Sequence, residues 1–288
     1  MKKQLISLPA ILISGTLILG FSSCKKDVTD AVNPASEVSS AQSLNTMETE
    51  DNNVQIMADQ AESGGDVNLR LQPTDNASVD LITSCAIITR DTTSSPKVTT
   101  IDFGTGCTNA HGDTRKGKII ISHTGPYRDS GTVIHITTNN YYLNGNKIDI
   151  NKTITNNGLN ERGNLTFTIH SVRIITYPDG TTSTSTFDKV KEWLQGANTP
   201  RDFSDDVYRI TGTGTHISRS GVVYDAATIT PLIRKVVCHQ FVSGDLKVVR
   251  HAAHTSYFVI DYGTGECDDT ATVTLGNGKA YTIDLKLH

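Results

Sequence analysis

The sequence predicts an all-β protein: an antiparallel meander of strands folded over on itself as a sandwich or open barrel. From about residue 79 to the C-terminus, short runs rich in Thr, Ile, Val and Tyr are separated by Gly, Asn and Asp, a composition typical of strands and turns. Several runs alternate between apolar and polar side chains, as half-buried strands do. The turns between the runs are short, so consecutive strands are expected to pair as antiparallel neighbours.

The alternation fixes the expected faces of three strands. Apolar residues recur at every second position from 281 to 287, and a second run alternates in the same way over residues 148–154. In a third run the apolar phase of Leu165, Phe167 and Ile169 shifts to Val172 and Ile174. Since an extra residue in a strand reverses its faces, this shift predicts a β-bulge near residues 170–171.

The turns are also readable from residue types that tolerate tight backbone. Asn144 and Gly145 favour a type I′ hairpin, and the triplets at residues 178–180 and 276–278 favour further turns between strands. The segment 187–194 fits either a helical turn or a strand. The strand is the favoured interpretation.

The first 24 residues have the organisation of an export signal. Lys2 and Lys3 precede an apolar stretch over residues 5–21, and small residues stand directly before Cys24. The stretch is short for a membrane span, and its end resembles the lipobox of bacterial lipoproteins. The resemblance implies that residues 1–23 are a signal peptide and that Cys24 carries acyl chains such as palmitate, which anchor the protein in a membrane.

The residues that follow Cys24 indicate in which membrane the lipid anchor lies. Lipoproteins retained in the inner membrane resemble one another in having an aspartate directly after the lipidated cysteine. Here Cys24 is followed by Lys25 and Lys26. We therefore expect a lipid-anchored protein of the cell envelope, localised to the outer membrane. Both the periplasmic face and the cell surface remain open.

Residues 24–67 are polar, acidic and poor in large apolar side chains. Such a composition favours a flexible, lipidated tether. The apolar residues of the segment 47–61 are spaced loosely as in a helix, so a short helix is the alternative. The tether is the favoured interpretation, and residues 68–288 are then the antiparallel β domain.

Four cysteines remain in the expected oxidising compartment, where pairing is typical. The phrase Ile-Asp-aromatic-Gly-Thr-Gly occurs at residues 101–106 and again at 260–265, each time just before a cysteine. The repeat indicates a weak internal duplication, and the simplest pairing joins Cys85 to Cys107 and Cys238 to Cys267. Four cysteines allow three connectivities, so the sequence alone leaves the pairing open.

No sequence motif identifies an active site. The formal net charge is −4 with scattered Lys and Arg, which argues against a nucleic-acid partner. His239, His251 and His254 form the densest histidine group, but no zinc-binding motif surrounds them, so an exposed polar loop is favoured over a metal site. We expect no cofactor and no catalytic residue of a known type.

The best candidate for binding is a predicted hairpin strand. Neighbouring residues of a strand point to opposite faces, so Tyr141 and Tyr142 place one ring on each, and at least one ring is expected to be exposed as a platform. Asn139 and Asn140 precede them and supply amide groups. This patch suits weak recognition of a polar polymer.

Over residues 85–287 the chain resembles a group of uncharacterised Bacteroidota outer-membrane lipoproteins of unknown function. The resemblance is carried by residues 101–107, by Arg-Lys-Gly-Lys at 115–118, by Asn-Asn-Tyr-Tyr at 139–142 and by Ile-Asp-Tyr-Gly at 260–263. It implies an address and a fold but no activity. A non-enzymatic module that binds a glycan, a peptide or an envelope protein is therefore the first hypothesis. An envelope hydrolase acting on glycan or peptide, with a site that motifs do not identify, is the second.

Overall fold

The computed structural model describes residues 33–63, 86–109, 112–199, 202–251 and 256–286, all within one unit that spans residues 32–288. It confirms the all-β class: one antiparallel sheet of fourteen strands accompanies a single α-helix and a 3-10 turn in these ranges. The elements are α1 Pro34–Ser63, β1 Ile87–Asp91, β2 Lys97–Asp102, β3 Cys107–Thr108, β4 Thr114–His123, β5 Val133–Leu143, β6 Asn146–Leu159, β7 Leu165–Thr176, β8 Thr182–Gln195, β9 Val207–Ile217, β10 Val223–Lys235, the 3-10 turn Val236–Cys238, β11 Phe241–Arg250, β12 Tyr257–Thr264, β13 Thr270–Leu275 and β14 Ala280–Asp284.

The strands pair in chain order, apart from the short β3, which pairs with β4. This is the predicted antiparallel meander. Within the described ranges β1 and β14 are the two edges and do not pair with each other, so the sheet is not closed. The helix contacts β2 near one edge, β7 and β8 in the middle, and β13 and β14 at the other edge. The sheet therefore curls around α1.

The helix is the centre of the fold. Every residue from 47 to 58 is buried, and because a helix turns once per 3.6 residues, these twelve residues cover all of its sides. The predicted flexible tether over residues 24–67 is wrong for residues 34–63, which form part of the core. Its acidic and amide side chains suggest exposure to water, but here they are paired with groups on the strands. Residues 24–32 and 64–67 lie outside the described ranges.

Local predictions for the turns and strands are confirmed. Asn144 and Gly145 have φ of +49° and +86°, and they join β5 to β6. The segment around residue 190 is the strand β8, and the turn triplets join β7 to β8 and β13 to β14. In β14 and just after it Ile283 and Leu285 are buried while their neighbours are exposed. Leu287 lies outside the described ranges.

The predicted β-bulge in β7 is wrong. β7 pairs with β8 without a register shift from Thr166 to Thr176. The inward positions continue past Ile169 through Ser171 and Arg173, both fully buried. The apparent phase shift arose because the sheet has polar and charged residues in its inward positions there.

The disulfide between Cys238 and Cys267 is confirmed. Cys107 is also disulfide-bonded, and its predicted partner Cys85 lies outside the described ranges. The two repeated phrases form the same local turn, in which the Asp102 carboxylate accepts a hydrogen bond from Gly104 N at 2.8 Å and Asp261 accepts one from Gly263 N at 2.8 Å. Among the described residues, none of the helical segments has the length and apolar character of a membrane span.

Candidate functional site

The inner face of the sheet is strongly cationic and the helix inside it is strongly acidic. Six basic side chains project inward from the strands and are buried: Arg115, Lys152, Arg173, Lys189, Lys191 and Arg234. The helix carries six carboxylates and no Lys or Arg. We call the buried pairs between them the inner ion network; its contacts determine what the interior can bind.

Asp51 lies at the middle of the network. Its Oδ2 is 3.0 Å from Lys152 Nζ, and its Oδ1 accepts a hydrogen bond from Ser171 Oγ at 2.7 Å. Arg173 and Lys189 lie farther away, at 3.9 and 4.0 Å. Burial by itself would raise the pKa of Asp51, but the three cations outweigh burial and hold that pKa well below its usual range. Asp51 is therefore ionised and held from several sides.

Glu48, one turn earlier, pairs with two cations. Arg173 Nη2 donates to Glu48 Oε1 at 2.6 Å, and Lys189 Nζ donates to Oε2. Burial opposes ionisation of Glu48, but Arg173 and Lys189 lower its pKa nonetheless. Arg173 also donates to the backbone carbonyl of Met47 at 3.1 Å. The guanidinium thus fixes both the rotation and the height of the helix.

Tyr141, half of the predicted platform, belongs to this interior. It is fully buried, its Oη donates to Glu50 Oε1 at 2.5 Å, and Arg115 Nε donates to the same Oη at 3.0 Å. The prediction that Tyr141 offers a surface ring is therefore excluded for this side chain. The inward positions of β5 serve the helix, and the first tyrosine occupies one of them.

The other predicted platform residues lie on the outer face. Tyr142 is partly exposed, and the ammonium of Lys116 lies 4.0 Å from the centre of its ring. Asn139 and Asn140 are exposed, and Asn140 has a left-handed φ of +47° at a bulge opposite Gly117. The structure thus leaves one partly covered ring with two amides, a smaller surface than the sequence suggested.

The histidines proposed as weak metal candidates are not brought together. His239 follows the 3-10 turn before β11, and His251 follows the last residue of β11. Ten strand residues at about 3.3 Å each separate them by roughly 30 Å, too far to share an ion. His251 is paired with Asp225 on β10, and His254 lies outside the described ranges. No group of three or more potential metal ligands occurs in the described part of the chain.

A serine–histidine pair of the kind that hydrolases use lies in the interior. Ser185 Oγ and His216 Nδ1 are hydrogen-bonded at 2.9 Å, and Ser185 Oγ also donates to Met47 Sδ at 2.8 Å. Both residues are fully buried, and burial lowers the pKa of His216 to about 4. Because substrate has no access to the pair, it does not support the hydrolase hypothesis.

Near the carboxyl end of α1 the interior is aromatic. Lys191 Nζ donates to Tyr127 Oη at 2.7 Å and lies 4.9 and 4.4 Å from the ring centres of Phe167 and Tyr208. Burial lowers the pKa of Lys191 to about 8, and burial raises the pKa of Asp59 to about 7. The cavity beside Asp59 has a volume of only about 40 Å³, which is room for a water molecule but not for an organic ligand.

A larger, open pocket lies at the amino end of α1. Its volume is about 290 Å³, and most of the residues that line it carry a hydroxyl group: Ser36, Ser39, Ser40, Gln42, Ser43, Thr46, Tyr177, Ser218, Arg219 and Ser220. We call it the serine pocket. On the helix, its residues recur at spacings of three and four, which places them on one face. This spacing is visible in the sequence, but the polar composition of the segment favours a tether there.

Several groups of the serine pocket are already positioned by hydrogen bonds. Ser43 Oγ bonds to Tyr177 Oη at 3.1 Å, and Ser40 Oγ bonds to Tyr224 Oη at 3.2 Å. The guanidinium of Arg219 lies 4.1 Å from the ring centre of Tyr177 and is paired with Asp179. The pocket therefore offers oriented hydroxyls and an aromatic–guanidinium stack, while its one cation is neutralised.

Comparison of the chain with protein-family models, with curated proteins and with solved structures found no match.

Proposed function

We propose that the protein is a lipid-anchored binding module of the cell envelope, and that the serine pocket recognises a hydroxyl-rich, uncharged ligand such as a sugar. The proposal combines the lipobox-like sequence that ends at Cys24 with one structural observation. An open concavity in the described part of the chain is large enough for an organic ligand, and eight of the ten residues that line it carry a hydroxyl group. The outer membrane is the proposed location.

The chemistry of the lining favours a neutral polyol. Each serine hydroxyl both donates and accepts hydrogen bonds, which matches the mixed donors and acceptors of a sugar. Arg219 would attract an anion if its charge were uncompensated, but Asp179 pairs with it. The apolar surface in the pocket is small in area, so a ligand can bury little apolar surface there. We therefore expect weak binding, with a dissociation constant of about 10 µM to 1 mM.

The occupied interior supports a surface site. The carboxylates of α1 pair with the inward cations, and apolar helix residues such as Leu44 and Met57 fill the remaining space. A ligand in the interior would have to displace these contacts. The open pocket at the end of the helix requires no such displacement.

The pocket is tested by binding of the purified protein to a glycan array, followed by calorimetric titration of the best ligand. Ser39→Ala and Ser43→Ala, which remove only the hydroxyl oxygen and keep the helix propensity high, are expected to weaken binding at least about fivefold each, the effect of about 1 kcal/mol per lost hydrogen bond. The matched control is Thr272→Ala, which removes an exposed hydroxyl on the outer face of β13. Tyr142→Ala tests the outer patch in the same assay. If only Tyr142→Ala reduces binding, the serine pocket is the wrong site.

The anchor is tested separately by labelling cells with a radioactive fatty acid. The protein is expected to incorporate the label and to fractionate with the membrane, whereas Cys24→Ala is expected to do neither. Incorporation that persists in Cys24→Ala would contradict the proposed lipidation.

A further inference from the structure

The position of α1 restricts how an anchored domain stands on its membrane. Nine residues separate Cys24 from Pro34, the first residue of the helix. Ten chain steps of at most about 3.6 Å span no more than about 36 Å. Because the helix is locked inside the sheet, this limit on the position of Pro34 also restricts where the sheet around the start of the helix can lie. The inference therefore depends on the proposed lipidation of Cys24.

The amino end of α1 lies at one end of the curled sheet. Glu37 Oε1 is 3.7 Å from Arg250 Nη1 at the end of β11, and Ser43 bonds to Tyr177, which follows β7. The turns at this end join β5 to β6, β7 to β8, β9 to β10 and β13 to β14. We call it the helix-start end. The turns that join β6 to β7 and β12 to β13 lie at the other end.

The two ends are separated by about the length of the helix. Thirty residues at 1.5 Å each give about 45 Å. Since the chain from Cys24 to Pro34 spans at most about 36 Å, the helix-start end stays within that distance of the membrane, whereas the far end is free to stand beyond it.

The rim of the helix-start end has side chains suited to a lipid headgroup layer. Ile217 and Tyr257 are 40 % and 42 % exposed at strand ends there. Lys247 lies 4.7 Å from the ring centre of Tyr257, and Lys279 is exposed in the nearby turn. Tyrosine rings and lysines are the residues that favour the boundary between lipid and water.

We propose that the helix-start end rests against the headgroup layer of the bilayer that holds the Cys24 lipid, with the sheet standing away from the membrane. The serine pocket then opens at the membrane surface, and its ligand is a group presented there. The partner of this surface is the lipid headgroup, contacted by the Ile217–Tyr257 rim.

The orientation is tested with the full lipidated chain in vesicles of phosphatidylethanolamine and phosphatidylglycerol that carry a headgroup-attached acceptor dye. A donor dye is placed at the helix-start end by Lys279→Cys and, as the matched control, at the far end by Glu161→Cys. Both positions are exposed turn residues. Because about 45 Å separates the two ends, energy transfer from position 279 is expected to exceed that from position 161 at least about twofold.

The possible results distinguish a wrong orientation from a wrong assignment of the lipid anchor. Mass spectrometry first establishes that Cys24 carries lipid. If it does and transfer is equal from both positions or greater from position 161, the anchor stands and the orientation is refuted. If Cys24 carries no lipid, both the proposal of a lipid-anchored module and the proposed orientation are refuted.

Discussion

The inner ion network makes Asp51 the side chain whose charge the fold needs most. Asp51→Asn preserves size but removes the carboxylate that faces Lys152 at 3.0 Å and that lies near Arg173 and Lys189. Removing one partner of a buried ion pair costs about 3–5 kcal/mol, because the other charge is left without compensation in a medium of low polarity. We expect a loss of this size in the free energy of unfolding.

An upper limit on the loss follows from the chemistry of Lys152. Its side chain is fully buried, and burial already lowers its pKa from the ordinary value of 10.5. Without Asp51, the lysine can lose its proton instead of remaining charged. Neutralising a lysine at pH 7 costs about 5 kcal/mol at 1.36 kcal/mol per pH unit. The expected loss therefore lies between about 3 and 5 kcal/mol, a large part of the stability of a typical domain.

The measurement is urea unfolding of the Cys24→Ala chain, followed by circular dichroism. The matched control is Asp179→Asn, since Asp179 pairs with Arg219 and both are about half exposed. Exposed pairs contribute about 0–1 kcal/mol. At pH 9 the neutral lysine costs only about 2 kcal/mol, so the loss caused by Asp51→Asn is expected to shrink. The ionic account of the interior is wrong if Asp51→Asn and Asp179→Asn lower the free energy of unfolding equally. It is also wrong if the difference between the two losses does not become smaller when the pH is raised from 7 to 9.

Three further predictions concern other parts of the fold. Burial lowers the pKa of His216 to about 4, so this side chain is neutral in the folded protein. As the pH falls below about 6.5, the unfolded state takes up a proton at this histidine before the folded state does, so the free energy of unfolding should drop by about 2 kcal/mol between pH 7 and pH 5. His216→Gln should remove this part of the pH dependence of unfolding. Gly117 and Gly145 share a left-handed φ, but a Cβ at Gly117 would lie 1.9 Å from a carbonyl oxygen of β5, whereas Gly145 has open space. Gly117→Ala should therefore reduce the unfolding midpoint in urea far more than Gly145→Ala, and equal effects would show that backbone conformation alone matters. Replacing both cysteines of the Cys238–Cys267 disulfide, which closes a loop of 29 residues, should cost about 3–4 kcal/mol on the chain-entropy model, and an unchanged melting temperature would contradict that.

Local features were predictable because they depend on a few adjacent residues. Asn144 and Gly145 specify their turn through left-handed backbone conformations that other residues rarely adopt. The alternation in β14 gives its buried face directly, and the strand assignment of the segment around Trp193 follows from the same period of two. These predictions required no knowledge of what covers the sheet.

The role of the helix was not predictable in this way, because its polar residues have partners more than sixty residues away. Glu50 pairs with Arg115, and Glu48 pairs with Arg173. Taken alone, a segment so rich in acidic and amide side chains has the composition of a solvated tether. The serine pocket was missed for the same reason, since its helical half lies in that segment. Which of Tyr141 and Tyr142 faces inward was likewise open, because nothing nearby in the sequence reveals Glu50, the partner of the Tyr141 hydroxyl.

The sequence nevertheless carries a signal for a buried helix. Arg115, Lys152, Arg173, Lys189 and Arg234 all occupy the inward phase of their strands, among apolar residues such as Ile150 and Ile175. One such residue is a local irregularity, but cations in the same phase on several neighbouring strands require buried anions, because an unpaired buried charge is too costly. In this chain, α1 supplies six carboxylates without a single Lys or Arg. Matching the two sets would have placed the helix inside the sheet. Any other rotation or height of the helix would leave buried charges unpaired, which is costly. The same match therefore explains how a helix with few large apolar residues keeps one rotation and one height, which in turn places the serine pocket at a defined end of the domain.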